Sequence, residues 1–360
     1  MCAKKRIGIL YGGRSVEHGV SINSAKNIFE FINKDLFEPV PIGISKTGQW
    51  YLSKQINKDI EQGQQLGVML DPNKQGFIIT SNDQRFTLDV VFPVLHGTDG
   101  EDGSIQGLLK ALEIPMVGSS VLGSALSMNK IVAKRILEGA KLPVAKYMVF
   151  HYREKDKIKF ADIKKKLGLP FMVKAANLGS SVGVSKVKKQ ADLNQALDEA
   201  FKFDDEILIE EFIKAREVEC AILGNHPPEA SLPGEIIINK KYDFYTFDAK
   251  YVDPEAVKIQ IPAKLTKATT EKIRTLSIQA FNALRCNDFA RVDLFLSGTK
   301  VYVNEINTIP GFTNSSMYPM MWKERGISFT DLITRLIDIA LTRFEENKRI
   351  ERSFQSNLKF

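Results

Sequence analysis

Two short apolar runs joined by a tight turn constrain this chain more than any other feature. Ala290-Arg291-Val292-Asp293-Leu294-Phe295-Leu296 and Val301-Tyr302-Val303-Asn304-Glu305-Ile306-Asn307 flank Ser297-Gly298-Thr299-Lys300, a pattern that reads as a β-hairpin. Side chains alternate faces along a strand. Arg291 and Asp293 therefore share one face, while Val292, Leu294 and Leu296 supply the buried one. On the return strand Glu305 and Asn307 share a face. In the right register an arginine, two carboxylates and an amide oxygen converge on one patch. Such oxygens suit a hard cation like Mg²⁺, which keeps several waters and bridges to substrate phosphates. The arginine suits a phosphoryl or oxyanion group. Charge on one strand face is ordinarily just solvated. Here the density of polar groups in an apolar hairpin, and the Pro310-Gly311 turn directly after it, tilt the reading toward a site.

The bulk properties narrow the function classes. A chain of 360 residues is long enough for two or three domains with sizeable cores. The net charge of +7 sits largely in local runs such as Lys4-Lys5-Arg6 and Lys164-Lys165-Lys166. No basic stripe interleaved with aromatics appears, so nucleic acid is not an expected partner. Cys2, Cys220 and Cys286 are scattered without CxxC spacing, which argues against a disulfide framework or a zinc site and for reduced thiols in the cytoplasm. The apolar run Ile7–Tyr11 is too short for a signal segment. Nothing approaches the roughly 20 apolar residues that span a bilayer, so no membrane partner is expected.

Strands and helices alternate over the first third. Ile7–Tyr11, Phe37–Ile44 and Arg85–Leu95 read as strands, with helices at about Ser21–Ile32 and Ser104–Leu112. This alternation predicts a mostly parallel sheet, with ligands gathering outside the carboxyl ends of its strands. Glu17, His96 and the Gly97–Gly103 loop follow such ends. Phe171–Lys174 and Val184–Val187 predict a hairpin around Asn177–Gly183. Ile207–Glu211 predicts a further strand, and Thr266–Leu284 and Thr330–Glu345 predict helices.

Several segments could carry chemistry. Gly179-Ser180-Ser181-Val182-Gly183 could cradle phosphate oxygens with backbone N–H groups. It is neither a Walker A nor a Rossmann fingerprint, and alone it fits an ordinary flexible hairpin turn better than a phosphate site. Lys174 beside it could supply a point charge. Glu210-Glu211 and Glu217 fit solvation or nucleotide recognition, and spacing alone favours solvation. Tyr242–Tyr251 is aromatic and charged without period, as in a closing lid or a self-packed surface loop. His18 and His96 lack partners at metal-ligand spacing. Together, glycine-rich turns, lysines and a carboxylate hairpin point to ATP chemistry with Mg²⁺.

Four motifs then carry a family resemblance: Tyr11-Gly12-Gly13-Arg14-Ser15-Val16-Glu17, Leu95-His96-Gly97-Thr98-Asp99-Gly100-Glu101-Asp102-Gly103, Gly179-Ser180-Ser181-Val182-Gly183-Val184-Ser185 and Asn304-Glu305-Ile306-Asn307-Thr308-Ile309-Pro310-Gly311-Phe312-Thr313. In this order the chain closely resembles the D-alanine–D-alanine ligases of the ATP-grasp superfamily, from about Arg6 to Arg343. The resemblance implies an α/β chain, α+β in the ATP-grasp part, with three domains. Residues 1–124 would form an N-terminal open parallel-sheet domain, 125–224 a central ATP-grasp subdomain, and 225–360 the C-terminal catalytic domain. It also implies ATP-dependent joining of two D-alanines through an acyl phosphate, with Mg²⁺ or Mn²⁺, two ions in all. A cytoplasmic homodimer is expected.

The resemblance further implies roles residue by residue. Asp293, Glu305 and Asn307 match metal ligands, and Arg291 with the Gly311 N–H matches the oxyanion-stabilising groups. Lys130, Lys174 and Lys250 match lysines on the ATP phosphates, under a loop holding Ser180 and Ser181. Glu210 and the main chain near Ile213 match adenine contacts, and Glu217 the ribose contact. Glu17 matches the carboxylate on the first D-alanine's ammonium, with His96 beside it. Ser316 and Met317 match contacts to the second D-alanine's carboxylate, and Tyr251 a lid contact with Glu17 and Ser180. Lys174-Ala175 stands where many relatives have Lys-Pro, and Met317 where some have Leu. Tyr251 favours D-alanyl-D-alanine over D-alanyl-D-lactate as product.

Overall fold

A computed structural model describes residues 3–70, 76–180, 182–239 and 256–351. The first strand, Lys5–Gly12, is buried along nearly its whole length and is parallel to a neighbour on each side, Phe37–Ile44 and Val90–Pro93. The helix His18–Phe31 packs Ile22, Ala25 and Ile28 inward beside them. This is the expected parallel part. The sheet then continues through four antiparallel strands, Trp50–Leu52, Gln64–Met69, Gly76–Ile79 and Gln84–Phe86, to seven in all. The run read as one strand, Arg85–Leu95, is two pieces at opposite edges of that sheet. Asp89 makes the break: its carboxylate accepts from the Arg6 N–H at 2.6 Å, which starts the second piece along the first strand.

A four-stranded antiparallel sheet follows, in the order Val184–Val187, Phe171–Ala175, Glu206–Glu211, Tyr147–His151. One face buries Phe171, Val173, Ile207 and Ile209 under the helices Phe160–Leu167 and Leu193–Phe201. Period-two alternation sends Met172, Lys174, Leu208 and Glu210 to the opposite face. The helix Lys130–Gly139, capped by the Asn129 side chain, lays Ile131 against Leu208 there.

The third sheet is antiparallel too. Its strands run Val257–Gln260, Gly234–Ile238, Arg216–Leu223, Phe289–Ser297, Lys300–Asn307, with Glu229–Ala230 beside Arg216–Leu223. Arg216–Leu223, which the division at residue 225 assigns to the central segment, is thus the middle strand of this sheet. Val218, Cys220, Val292, Leu294, Val301 and Val303 form its core face against the helix Lys267–Ala283. Phe312 anchors the following loop in an aromatic cluster, with ring centroids 5.8 Å from Phe92, 5.8 Å from Tyr318 and 5.3 Å from Phe329. No helix among the described residues is long and apolar enough to cross a membrane.

Candidate active site

The hairpin sets Arg291 opposite Asn307 and Asp293 opposite Glu305. It reaches that register through a device absent from the simple pattern. Val301 and Val303 are core residues, so strict alternation would turn Glu305 and Asn307 into the core as well. A β-bulge intervenes: Leu294 pairs with Val303 and Asp293 with Glu305, leaving Asn304 as the extra residue. The phase flips there, Ile306 takes the core side, and Glu305 and Asn307 join Arg291 and Asp293 on the other face.

That patch is densely charged. Arg291 is bidentate on Asp293, Nε to Oδ1 at 2.6 Å and the second guanidinium nitrogen to Oδ2 at 2.7 Å. Asn307 Nδ2 donates to Asp293 Oδ2 at 3.0 Å. Lys130 Nζ lies 3.4 Å from Glu305 Oε2 and donates to the Leu178 carbonyl at 2.7 Å. Glu219, on the neighbouring strand, faces Asp293 in register and sets Oε2 3.0 Å from Arg291 Nε.

A cleft of about 650 Å³ separates this patch from the polar face of the four-stranded sheet. Lys130, Lys174, Ser180, Glu210, Ile213, Glu217, Asp293 and Glu305 all line it, so most of the expected nucleotide and metal residues meet in one place. The Phe212–Ala215 segment joins the two sheets along its wall. Across the cleft Glu210, only 2% exposed, lies between Lys134 Nζ and Lys174 Nζ, each 2.5 Å away. Burial pushes the Glu210 carboxyl up, but the two ammonium groups outweigh it and hold it at about 2. Burial likewise lowers the Lys174 ammonium, but Glu210, with smaller help from Glu305 and Glu217, raises it above its ordinary value. The Glu210 side chain is thus engaged by lysines, and the cleft wall beyond it continues through Glu211 to Ile213.

Loops of the first sheet close the other end. Ser180, a non-glycine residue at φ +52°, donates its hydroxyl to Glu17 Oε1. Such a backbone is uncommon outside glycine and turns this loop toward Glu17. His96 is a buried latch between a loop of the first sheet and the loop after the third sheet's hairpin. Its Nδ1 donates to the Ile309 carbonyl at 2.9 Å, so Nε2 accepts from Ser24 Oγ at 3.0 Å. Ser24 Oγ in turn accepts from the Phe312 N–H at 3.2 Å. Burial lowers the His96 imidazole, and the nearby Arg291 charge adds to that against Glu17 and the Ile309 contact. Glu101 ties the same loops, accepting from Gly97 N at 2.8 Å and Ile309 N at 3.0 Å. Burial and then Glu17 push its carboxyl up to about 8, against the pull of those N–H groups and Arg291. Glu17, His96, Glu101 and Arg291 therefore sense one another's charge.

Gly311 packs against Ser316, where a Cβ would meet Oγ at 2.9 Å. Ser316 precedes the helix Met317–Glu324 and accepts from the Thr313 N–H at 3.0 Å. The Met317 side chain instead runs into the core over Gly234, so only its main chain at the helix start faces this loop. Ser181, Lys250 and Tyr251, with the lid expected around them, lie outside the described residues.

The expected metal ligands fit a hard ion in one specific way. Among the described residues no cluster of three or more His, Cys, Asp or Glu side chains is spaced to hold a metal unaided. Two carboxylates and an amide oxygen suit Mg²⁺, which takes its remaining positions from water and substrate phosphate. Sequence reasoning missed Glu219, Lys134, Glu101 and the Asn304 bulge. The Glu217-Val218-Glu219-Cys220 alternation was a usable signal for Glu219, and the Val301, Val303, Ile306 spacing for the bulge.

Comparison with known proteins agrees with this architecture. A family model described as the D-ala D-ala ligase N-terminus matches residues 6–119, and one for the D-ala D-ala ligase C-terminus matches 136–338. The chain is 47% identical to a D-alanine–D-alanine ligase of Shouchella clausii, over 98% of each chain. It is 46% identical to the D-alanine–D-alanine ligase A of Escherichia coli K12, over 94% of this chain and 96% of that one. Among solved structures, the D-alanine–D-alanine ligase of Coxiella burnetii is similar at a TM-score of 0.86 and 36% identity, covering 96% of each chain. The VanG D-Ala:D-Ser ligase of Enterococcus faecalis is similar at 0.85 and 34%, covering 94% of this chain and all of that one.

Proposed function

This chain belongs to the D-alanine–D-alanine ligase family and has its ATP-grasp fold, and we propose how its cleft performs the ATP-dependent joining of two D-alanines for peptidoglycan synthesis. ATP lies between the two antiparallel sheets. Its adenine reaches the main chain near Ile213, its ribose Glu217, and its phosphates Lys130 and Lys174 under the Ser180 loop. The first D-alanine sets its ammonium at Glu17 and its carboxylate toward the γ-phosphate. A carboxylate is a poor electrophile, and transfer of the phosphoryl group turns one oxygen into a leaving group. The amine of the second D-alanine, its carboxylate held at Ser316 and the start of the Met317–Glu324 helix, attacks the acyl phosphate, and phosphate departs. Arg291 and the Gly311 N–H stabilise the developing oxyanion, while the closed cleft contributes positioning.

Asp293, Glu305 and Asn307 would hold the divalent ions, Mg²⁺ or Mn²⁺ and two in number, which supply charge neutralisation on the phosphates. The observation that carries this reading is the bulged hairpin register, which gathers Arg291, Asp293, Glu305 and Asn307 on one face of the sheet, with Asp293 and Glu305 lining the cleft that Lys174 also lines. The protein acts as a cytoplasmic homodimer, which sedimentation would check. Similarity to a D-Ala:D-Ser ligase makes the acceptor the point to test. Phosphate release from ATP and Mg²⁺ should require D-alanine, and near pH 7 D-alanine should exceed D-serine and D-lactate as second substrate. A clear preference for either of the others would overturn the acceptor assignment, and release independent of D-alanine would overturn the ligase chemistry.

A further inference from the structure

We infer that Glu219 is a positioning residue for Arg291: it is the carboxylate that keeps the guanidinium aimed at the reaction centre once Asp293 is engaged by a divalent ion. The inference rests on the ligase reading above. Arg291 donates from two nitrogens to both oxygens of Asp293, at 2.6 and 2.7 Å. A dication on those oxygens repels the guanidinium at short range and loosens this bidentate pair, although each carboxylate oxygen can still accept a hydrogen bond. A part-buried arginine whose main ion pair loosens is held in place by a second anion beside it.

Glu219 is built for that exchange. It stands directly across the strand pair from Asp293 and is 4% exposed. Its Oε2 is 3.0 Å from Arg291 Nε, the nitrogen whose hydrogen goes to Asp293 Oδ1. A small rotation of the guanidinium turns that N–H from Asp293 to Glu219, the hydrogen staying on the arginine. Both acceptors lie on the Arg291 side of the sheet, so the guanidinium stays within reach of His96 and Glu101, which both feel its charge, instead of following Asp293. The burial of Glu219 itself demands a permanent cation, which makes the pair mutually supporting.

The test compares Glu219→Gln and Glu219→Asp with the wild type by steady-state kinetics, thermal unfolding and Mn²⁺ binding to the ADP-loaded protein by electron paramagnetic resonance. Glu219→Gln should lower kcat about tenfold or more, with KM for ATP and the Mn²⁺ Kd changed by less than about threefold. Glu219→Asp, which restores the charge, should recover part of the loss. In an Arg291→Lys background the same Gln substitution should cost clearly less, because the two act as a unit. An unchanged kcat would overturn the inference. So would a Mn²⁺ Kd raised about tenfold, which would make Glu219 a metal ligand, or a falling thermal midpoint with no recovery by Asp, which would make it structural. If the wild type itself released no phosphate in response to D-alanine, the ligase reading would fail first and take this inference with it.

Discussion

Two ionic clusters face each other across one cleft, and they are built on opposite plans. Glu210 is sealed under the four-stranded sheet with a lysine on either side, so its cluster carries excess positive charge. Asp293, Glu305 and Glu219 outnumber the cations beside them, Arg291 and Lys130, and part of this cluster faces open space. The first plan suits a polyanion and keeps its own carboxylate permanently engaged. The second has acidic oxygens to give to a cation and an arginine that can change partners. A nucleotide triphosphate with its divalent ion needs both kinds of wall, one from each sheet.

Variants that remove charge from each wall should separate the two plans. On the acidic side, Asp293→Asn or Glu305→Gln should cut turnover at least about a hundredfold while leaving the thermal midpoint nearly unchanged. Survival of activity in both variants would make the two walls equivalent and the metal assignment wrong. On the basic side stability should suffer. Lys134→Ala leaves Glu210 buried with one counter-ion and should cost about 3 kcal/mol in denaturant unfolding. A loss below about 0.5 kcal/mol would place Lys134 among ordinary surface lysines.

Acid should discriminate further. The folded Glu210 carboxyl stands at about 2 against an ordinary 4.5, so its stabilising contribution is complete above the higher value and vanishes as the pH falls toward the lower one. The stability gap between the wild type and Glu210→Gln should therefore narrow between those two pH values and stay level above them. A gap that instead widened on acidification would reverse the sign of the cluster. The smallest effect belongs to Met317→Leu, a volume-conserving change in the core shared by the first and third sheets, which should cost under about 1.5 kcal/mol and leave kcat intact.

The two walls also differ in how far the sequence revealed them. The acidic hairpin was legible because alternation of Val292, Leu294 and Leu296 with charged residues is local information. Its bulge was only half legible: Asn304 breaks the period, but which strand side it frees depends on pairing with Leu294 and Asp293. Glu219 was hidden because its partner lies more than seventy positions away, on a strand whose place in the sheet no local pattern gives. Lys134 looks like the solvated face of an amphipathic helix until the Leu208 side of the sheet covers it. Gly224-Asn225-His226-Pro227-Pro228 lies in a turn between two paired strands of one sheet, a pairing that no local pattern announces. The short strands between Trp50 and Phe86 lack strong alternation, so the antiparallel extension of the first sheet was invisible.

The most direct test of the acidic wall bypasses turnover. Mn²⁺ binding to the ADP-loaded wild type, Asp293→Asn and Glu305→Gln can be titrated by electron paramagnetic resonance. The hairpin account predicts that either substitution weakens binding by about tenfold or more. Equal Mn²⁺ affinity in all three proteins would contradict it.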